Sequence, residues 1–92
     1  MIKTFRHKGL QRLFEDNDGR KLPADMVVRI ARILLAIAEA EKVEELSSPS
    51  LKLHALKGSL KGHWAVTVRA NWRITFRFEN GSAHDVDFLD YH

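Results

Sequence analysis

From His63 to the end of the chain, apolar and polar residues alternate almost without a break. Trp64, Val66 and Val68 share one parity, as do Trp72, Ile74, Phe76 and Phe78, and later Val86 and Phe88. Successive side chains of a strand point to opposite faces, so a period of two predicts half-buried strands. Turn signals at Ala70-Asn71-Trp72 and Asn80-Gly81-Ser82 divide the run into three. A two-residue loop at Ala70-Asn71 would set Arg69 opposite Trp72. A three-residue loop pairs Arg69 with Arg73, Val68 with Ile74 and Val66 with Phe76, which separates apolar from polar and is the expected register. The same test at the second turn pairs Phe76 with Val86, Ile74 with Phe88, and Arg77 with Asp85 as an opposite-charge couple. Gly81 suits a left-handed turn position. The expected product is an antiparallel meander with one dry face and one wet face, the latter lined by Arg69, Arg73, Thr75 and Arg77.

Upstream the period changes. Ile2 to Phe5 reads as a short first strand. Leu10, Leu13 and Phe14 give Gly9 to Asp16 the spacing of a short amphipathic helix, closed by a turn at Asn17-Asp-Gly-Arg20. Pro23 stands where a first helical turn tolerates it. From there to about Glu45, Met26, Val27, Ile30, Ile33, Leu34, Ile37 and Ala38 form one wide stripe, broadened by Leu35. That breadth suits packing on a sheet better than a coiled-coil seam. Ser47-Ser48-Pro49-Ser50 ends the helix, and Leu51 to Gly58 forms a short segment with Leu51, Leu53 and Leu56 turned inward. Together these elements predict a single α+β domain over residues 1–92.

The chain has 92 residues, enough for one modest core, and no apolar run long enough to span a membrane. No secretory signal opens it. The absence of cysteine removes disulfides and thiolate metal sites and fits a reducing cytoplasm. A net charge of +3 conceals a strong asymmetry. Between Pro49 and Phe78 stand Lys52, Lys57, Lys61, Arg69, Arg73 and Arg77 with no acid among them, while Glu39, Glu41, Glu44 and Glu45 crowd just before. Such a block suits a polyanionic partner, or simply a solvated face.

Histidines are scattered at positions 7, 54, 63, 84 and 92, with no pair at helical metal-binding spacing and no nucleotide-binding glycine loop nearby. His54 and Lys57 precede the arginine-bearing strands, and Asp90-Tyr91-His92 ends the last one. If both reach one face, imidazoles, cations and a phenol would suit cleavage of an RNA phosphodiester. A base would take the 2′-hydroxyl proton, cations would hold the phosphate, and an acid would protonate the leaving 5′-oxygen. Tyr91 could stack on a base. No metal or other cofactor is required.

Met1-Ile-Lys-x-Phe5, Lys52-Leu-His-x-Leu-Lys-Gly58, Val68-Arg-Ala-Asn-Trp-Arg-Ile-Thr-Phe76 and the terminal Asp90-Tyr91-His92 together resemble the HigB toxins of the RelE superfamily. The resemblance spans essentially the whole chain. It implies a RelE-like microbial ribonuclease fold: an N-terminal strand, two helices, then an antiparallel β-meander. It implies a ribosome-dependent mRNA endoribonuclease acting in the A site of the 70S ribosome without a metal. It also implies neutralisation by a HigA-like helix-turn-helix antitoxin, with operator DNA met only through that antitoxin. By position, His54 and His92 match acid–base residues and Asp90 a proton-handling or supporting carboxylate. Lys57 and Arg73 match phosphate stabilisers, Tyr91 a base or backbone contact, and Arg69 and Asn71 further RNA contacts. A non-catalytic ribosome or RNA binder shares the same basic face and is the alternative. A DNA-binding regulator fits poorly, because the one long helix is too apolar to lie in a groove.

Overall fold

Helix α1 (Lys8–Asp16) begins where His7 can cap it: His7 Nδ1 accepts the Leu10 N–H at 3.2 Å. It ends at Asn17, whose left-handed backbone (φ 54°) carries its N–H to the Leu13 carbonyl. Leu10 and Leu13 are buried; Phe14 remains 40% exposed. The computed structural model describes residues 1–91.

After a 3₁₀ turn at Ala24–Met26, helix α2 runs from Val27 to Glu39 and buries Ile30, Ile33, Leu34 and Ile37. Leu35 does not widen that stripe; it faces solvent. The helix also stops short of the expected Glu45. Ala40 is extended, and the Glu45 carboxylate accepts the N–H groups of Glu41 and Lys42, capping a separate 3₁₀ turn at Val43–Leu46. The break has a packing reason. In a continued helix Leu46, nine residues after Ile37, would point about 180° away from it, whereas here Leu46 is buried at 1% exposure.

Strands β1 (His54–Ala55), β2 (His63–Arg69), β3 (Trp72–Glu79) and β4 (Ser82–Asp90) form one antiparallel sheet in the order β1-β2-β3-β4. Two helices followed by an antiparallel sheet is the α+β arrangement expected. The N-terminal segment departs from expectation, making only isolated parallel bridges from Ile2 to Ala83 and Phe5 to Val86. Lys3 N–H reaches the Ala83 carbonyl and Arg6 N–H that of Val86, both at 2.8 Å. Between them the ladder is interrupted at Asp85 (φ 55°), whose N–H goes instead to Thr4 Oγ1 at 2.8 Å.

Both hairpins turn more tightly than expected. Glu79 pairs with Ser82, so Asn80-Gly81 is a two-residue turn with both φ values positive, the hand that matches strand twist. A bulge at Asp85 then restores the count. Ile74 meets Phe88 as expected, while Arg77 lies opposite His84 and reaches Asp85 across the bulge. At the first turn Arg69 sits opposite Trp72, the pairing that apolar segregation argued against. A bulge at Val68 makes it tolerable: beyond it Val66 pairs with Ile74 and Trp64 with Phe76, so the apolar face survives with other partners.

The helices cover that apolar face, where Phe76, Leu10, Ile30, Leu34, Ile37, Ile74, Val66 and Val86 are fully buried. Trp72 stacks on Phe88 at 4.6 Å. The opposite face is drier than expected. Thr75, assigned to the wet side, is 2% exposed, and Ala65 and Leu56 are buried without joining the main core. Thr75 sits mid-sheet with strands on both sides, and the longer Arg73 and Arg77 precede and follow it on the same face.

Candidate active site

Sheet register arranges the candidate residues by level. His54 stands opposite Ala65, which stands opposite Thr75, which stands opposite Asp87. These four share the face turned away from the helices. One level along, Thr67, Arg73 and Leu89 form the next row of that face. His54 and Arg73 are therefore separated by two strand spacings and two residues, about 12 Å between Cα atoms. Lys57 lies at the other end: Leu56 N–H bonds the His63 carbonyl, and Lys57 follows, exposed, before the 3₁₀ turn at Gly58–Leu60. Along the strand direction His54 thus stands between Lys57 and Arg73.

Beyond Arg73 the end of β4 meets the β2–β3 turn. Asp90 lies opposite Trp72, and Tyr91 N–H donates to the Asn71 carbonyl at 2.7 Å. Asn71, Arg73 and Tyr91 are brought together there, whereas Asp90, in register with Trp72, takes the helix-side parity that Arg69 also takes. His92 lies outside the described residues. Arg73 Nη1 donates to the carbonyls of Ala70 and Trp72, which turns the guanidinium toward the hairpin end. His54 is exposed, and its Nδ1 lies 2.9 Å from the Lys52 carbonyl.

Arg69 does not join Arg73. The Val68 bulge puts Arg69 in register with Trp72 and therefore on the helix side, where it pairs with Asp25 at 2.7 Å. Both side chains of that pair are more than half exposed. An exposed ion pair contributes only about 0–1 kcal/mol, so Arg69 can leave it for a phosphate at little cost. Arg77 is held differently: it donates to Asp85 at 3.0 Å and Glu79 at 2.7 Å. The hydrogen bond from Arg77 holds the Asp85 carboxyl below the usual range, against a smaller opposing effect of burial. The same bond raises Arg77. Arg77 is thereby a neutralised part of the sheet and adds little to the anion-attracting field.

The chain matches the family model of the RelE-like toxin HigB of type II toxin–antitoxin systems over residues 3–92. It is 51% identical over 92 residues to the endoribonuclease HigB of Proteus vulgaris, covering all of both chains. The chain belongs to the HigB-like toxins. Solved structures agree on the fold. A point mutant of YafQ from E. coli superposes with a TM-score of 0.61 at 13% identity, over 98% of this chain and 93% of that one. The YoeB–YefM complex from Staphylococcus aureus gives 0.58 at 16% identity, over 100% of this chain and 98% of that one. As a HigB-like toxin of a type II system, this chain has an antitoxin as its partner.

Several residues that shape this HigB-like site were not visible as such in the sequence. Arg29 sits off the apolar stripe of α2 and reads as a solvent-facing charge. In the fold it crosses to the sheet and donates to the carbonyls of Val68, Thr67 and Ser50. It thereby ties the segment leading to His54 to the bulge leading to the Arg73 hairpin. Lys52 reads as one more surface cation, yet its backbone is left-handed (φ 50°) and its carbonyl meets His54. Both ring nitrogens of His63 and the Thr67 hydroxyl are buried on this side of the sheet with no hydrogen-bond partner among the described residues. No spacing rule marks these positions, because each depends on contacts between distant segments.

Proposed function

We propose that this chain is a ribosome-dependent endoribonuclease that cuts mRNA in the A site by attack of the RNA's own 2′-oxygen, without a metal. The observation that carries the reading is the shared sheet face on which an exposed His54 and a half-buried Arg73 stand about 12 Å apart, with Tyr91 and Asn71 joined at the end of the same sheet. That spacing admits a nucleotide between an imidazole and a guanidinium. The Proteus vulgaris relative, named an endoribonuclease, supports the reaction class.

In this reading the 2′-hydroxyl loses its proton to a base as its oxygen attacks phosphorus. Arg73 and Lys57 hold the phosphoryl oxygens as charge builds, and an acid protonates the departing 5′-oxygen. His54, His92 and Asp90 are the acid–base set; Tyr91 stacks on or orients the nucleotide, and Asn71 and Arg69 contact the flanking chain. The products are a 2′,3′-cyclic phosphate, or the 3′-phosphate it hydrolyses to, and a 5′-hydroxyl. The 2′-hydroxyl is a nucleophile already beside its phosphate, so geometry and proton transfer suffice. The toxin acts in the cytoplasm. A HigA-like helix-turn-helix antitoxin silences it, and operator DNA is met only through that partner.

The test is to add the purified chain to translating ribosomes, with chelator present, and map mRNA 5′ ends by primer extension. Discrete cuts in the A-site codon are expected. A message carrying a single 2′-deoxy sugar 5′ of the cut should resist. Arrest of translation with intact message would favour the non-catalytic binder, and a 5′-phosphate product would overturn the mechanism.

A further inference from the structure

We propose that Arg29, a residue of helix α2, is a positioning residue for the cleavage: its guanidinium sets the segment that carries His54 against the strand that faces Arg73. The inference deepens the endoribonuclease reading and rests on it. It starts from how weakly the edge of the sheet is held by its own ladder. β1 is two residues long, and both His54 and Ala55 are exposed. Its register with β2 is His54 to Ala65 and Ala55 to Trp64. So short an edge strand gains little stability from its own pairing. Its placement therefore depends on the flanking chain.

Those flanks are anchored by a few named bonds. After β1, the Leu56 N–H reaches the His63 carbonyl at 2.9 Å. Before β1, the Leu51 carbonyl accepts the Thr67 N–H at 2.7 Å, and the Ser50 carbonyl accepts Arg29 Nη2 at 3.0 Å. The same guanidinium donates from Nη2 to the Thr67 carbonyl at 3.2 Å and from Nε to the Val68 carbonyl. Val68 is the bulge of β2, where the ladder is interrupted and backbone groups need other partners. Arg29 supplies them.

The fork matters as well as the charge. Nε and Nη2 belong to one rigid plane, so a single group fixes how far Ser50 stands from Thr67 and Val68. Bonds donated by a cation are also shorter and stronger than neutral ones. Ser50 lies four residues before His54, and Thr67 lies directly opposite Arg73. Arg29 thus places His54 and Arg73 in one frame from the helix side, without standing on the candidate face itself. Proton transfer depends steeply on such placement, since a misplacement of about 1 Å costs on the order of 10²-fold in rate. Ribosome binding draws on charges spread over the whole surface and depends on it far less.

The test uses the full chain on ribosomes. Arg29→Met keeps the apolar stem and removes the fork. It should slow single-turnover cleavage by about 10- to 10²-fold while ribosome affinity stays unchanged. Amide exchange should quicken at Thr67 and Leu56 and hold at β3 and β4, a local loosening that a general loss of stability would not give. Arg29→Lys keeps the charge without the planar donors and should remain slow; it carries the same test if Arg29→Met does not fold. Added to His54→Ala, either change should cost no further rate, because the residue it places is gone. Four results would overturn the proposal: an unslowed Arg29→Met, full rate in Arg29→Lys, additive losses with His54→Ala, or exchange that quickens throughout the sheet. In each of those the parent still cuts and the endoribonuclease reading survives. If the unaltered chain cuts no message on ribosomes, that reading fails, and the positioning role falls with it whatever the exchange rates.

Discussion

Arg73 and Phe76 are three residues apart on β3 and face opposite ways. Phe76 is fully buried against the helices, whereas Arg73 is half-buried on the other face and, among the described residues, is bonded to carbonyls of its own hairpin. Arg73→Ala should therefore abolish most cleavage while leaving the urea midpoint nearly unchanged. Phe76→Ala should cost about 3–5 kcal/mol of stability. The reverse pattern would mean that the functional face is the one under the helices. Asp85 makes a pH-dependent contribution of a different kind. Its folded carboxyl binds a proton less readily than the unfolded one, because Arg77 donates to it. The unfolded chain then takes up the proton first on acidification. The stabilisation is fully present above the unfolded carboxyl pKa of about 3.9 and is lost as pH falls through the lower folded value. Asp85→Asn keeps the left-handed backbone, so its melting temperature should lie below that of the parent at pH 7, and the gap should narrow as pH falls below the unfolded carboxyl value and close once the folded carboxyl is protonated. A gap that persists in acid would assign the loss to the Thr4 contacts rather than to the charge.

At the scale of elements, the two hairpins carry the largest departure from pattern reasoning, and both depart for one reason. Counting parity selects a loop length on the assumption that the ladder is regular, whereas each hairpin combines a two-residue turn with a bulge, at Val68 and at Asp85. Either bulge shifts the register by one residue and re-aims the side chains beyond it. Arg69 and Arg73 are thereby sent to opposite faces. The turns themselves differ in fitness. Asn80-Gly81 has the residues its positive φ values demand, but Ala70 holds φ 51° with a Cβ. Ala70→Gly should relieve strain of about 1–2 kcal/mol, partly offset by about 0.5–1 kcal/mol of added chain entropy. The net expectation is a slightly higher urea midpoint with cleavage retained. A clear drop in the midpoint would show that Ala70 is not strained in solution.

For the whole molecule, the decisive feature is how little of the candidate chemistry is local. His54 belongs to a two-residue edge strand, Arg73 to a central strand, and Tyr91 to the last described position. Arg29 fastens the segment leading to the first of these to β2, the strand between the two, from the opposite side of the sheet. His54 stands exposed on a two-residue edge strand, and the apolar pocket lined by Leu13, Phe14, Ala31, Leu34 and Leu35 lies elsewhere, between the helices. An exposed edge-strand position does little by itself to order a free RNA, and positioning by the ribosome can supply roughly 7–11 kcal/mol of a barrier. Naked mRNA should accordingly be cut far more slowly than the same message in a ribosome, measured with one labelled transcript in both settings. Equal turnover would reject ribosome dependence.

Two periods in the chain, 3.6 and then 2, were sufficient to determine the fold class, because burial of an apolar stripe on an apolar sheet face leaves few arrangements of two helices and a meander. The helix stop at Asn17, the buried faces of α2 and β3, and the opposite orientations of Arg73 and Phe76 were legible for the same reason: each depends on neighbours in sequence. The end of α2 at Glu39, the bulges, the removal of Arg69 to the helix side, the burial of Thr75 and the fastening of the segment before His54 were not. Each is decided by a partner far along the chain, a buried Leu46, a twisted neighbour strand, Asp25, the adjoining strands, or a backbone pinned by Arg29 and Thr67. Only tertiary structure brings such partners together, since backbone hydrogen bonding and burial must be satisfied over the whole molecule at once.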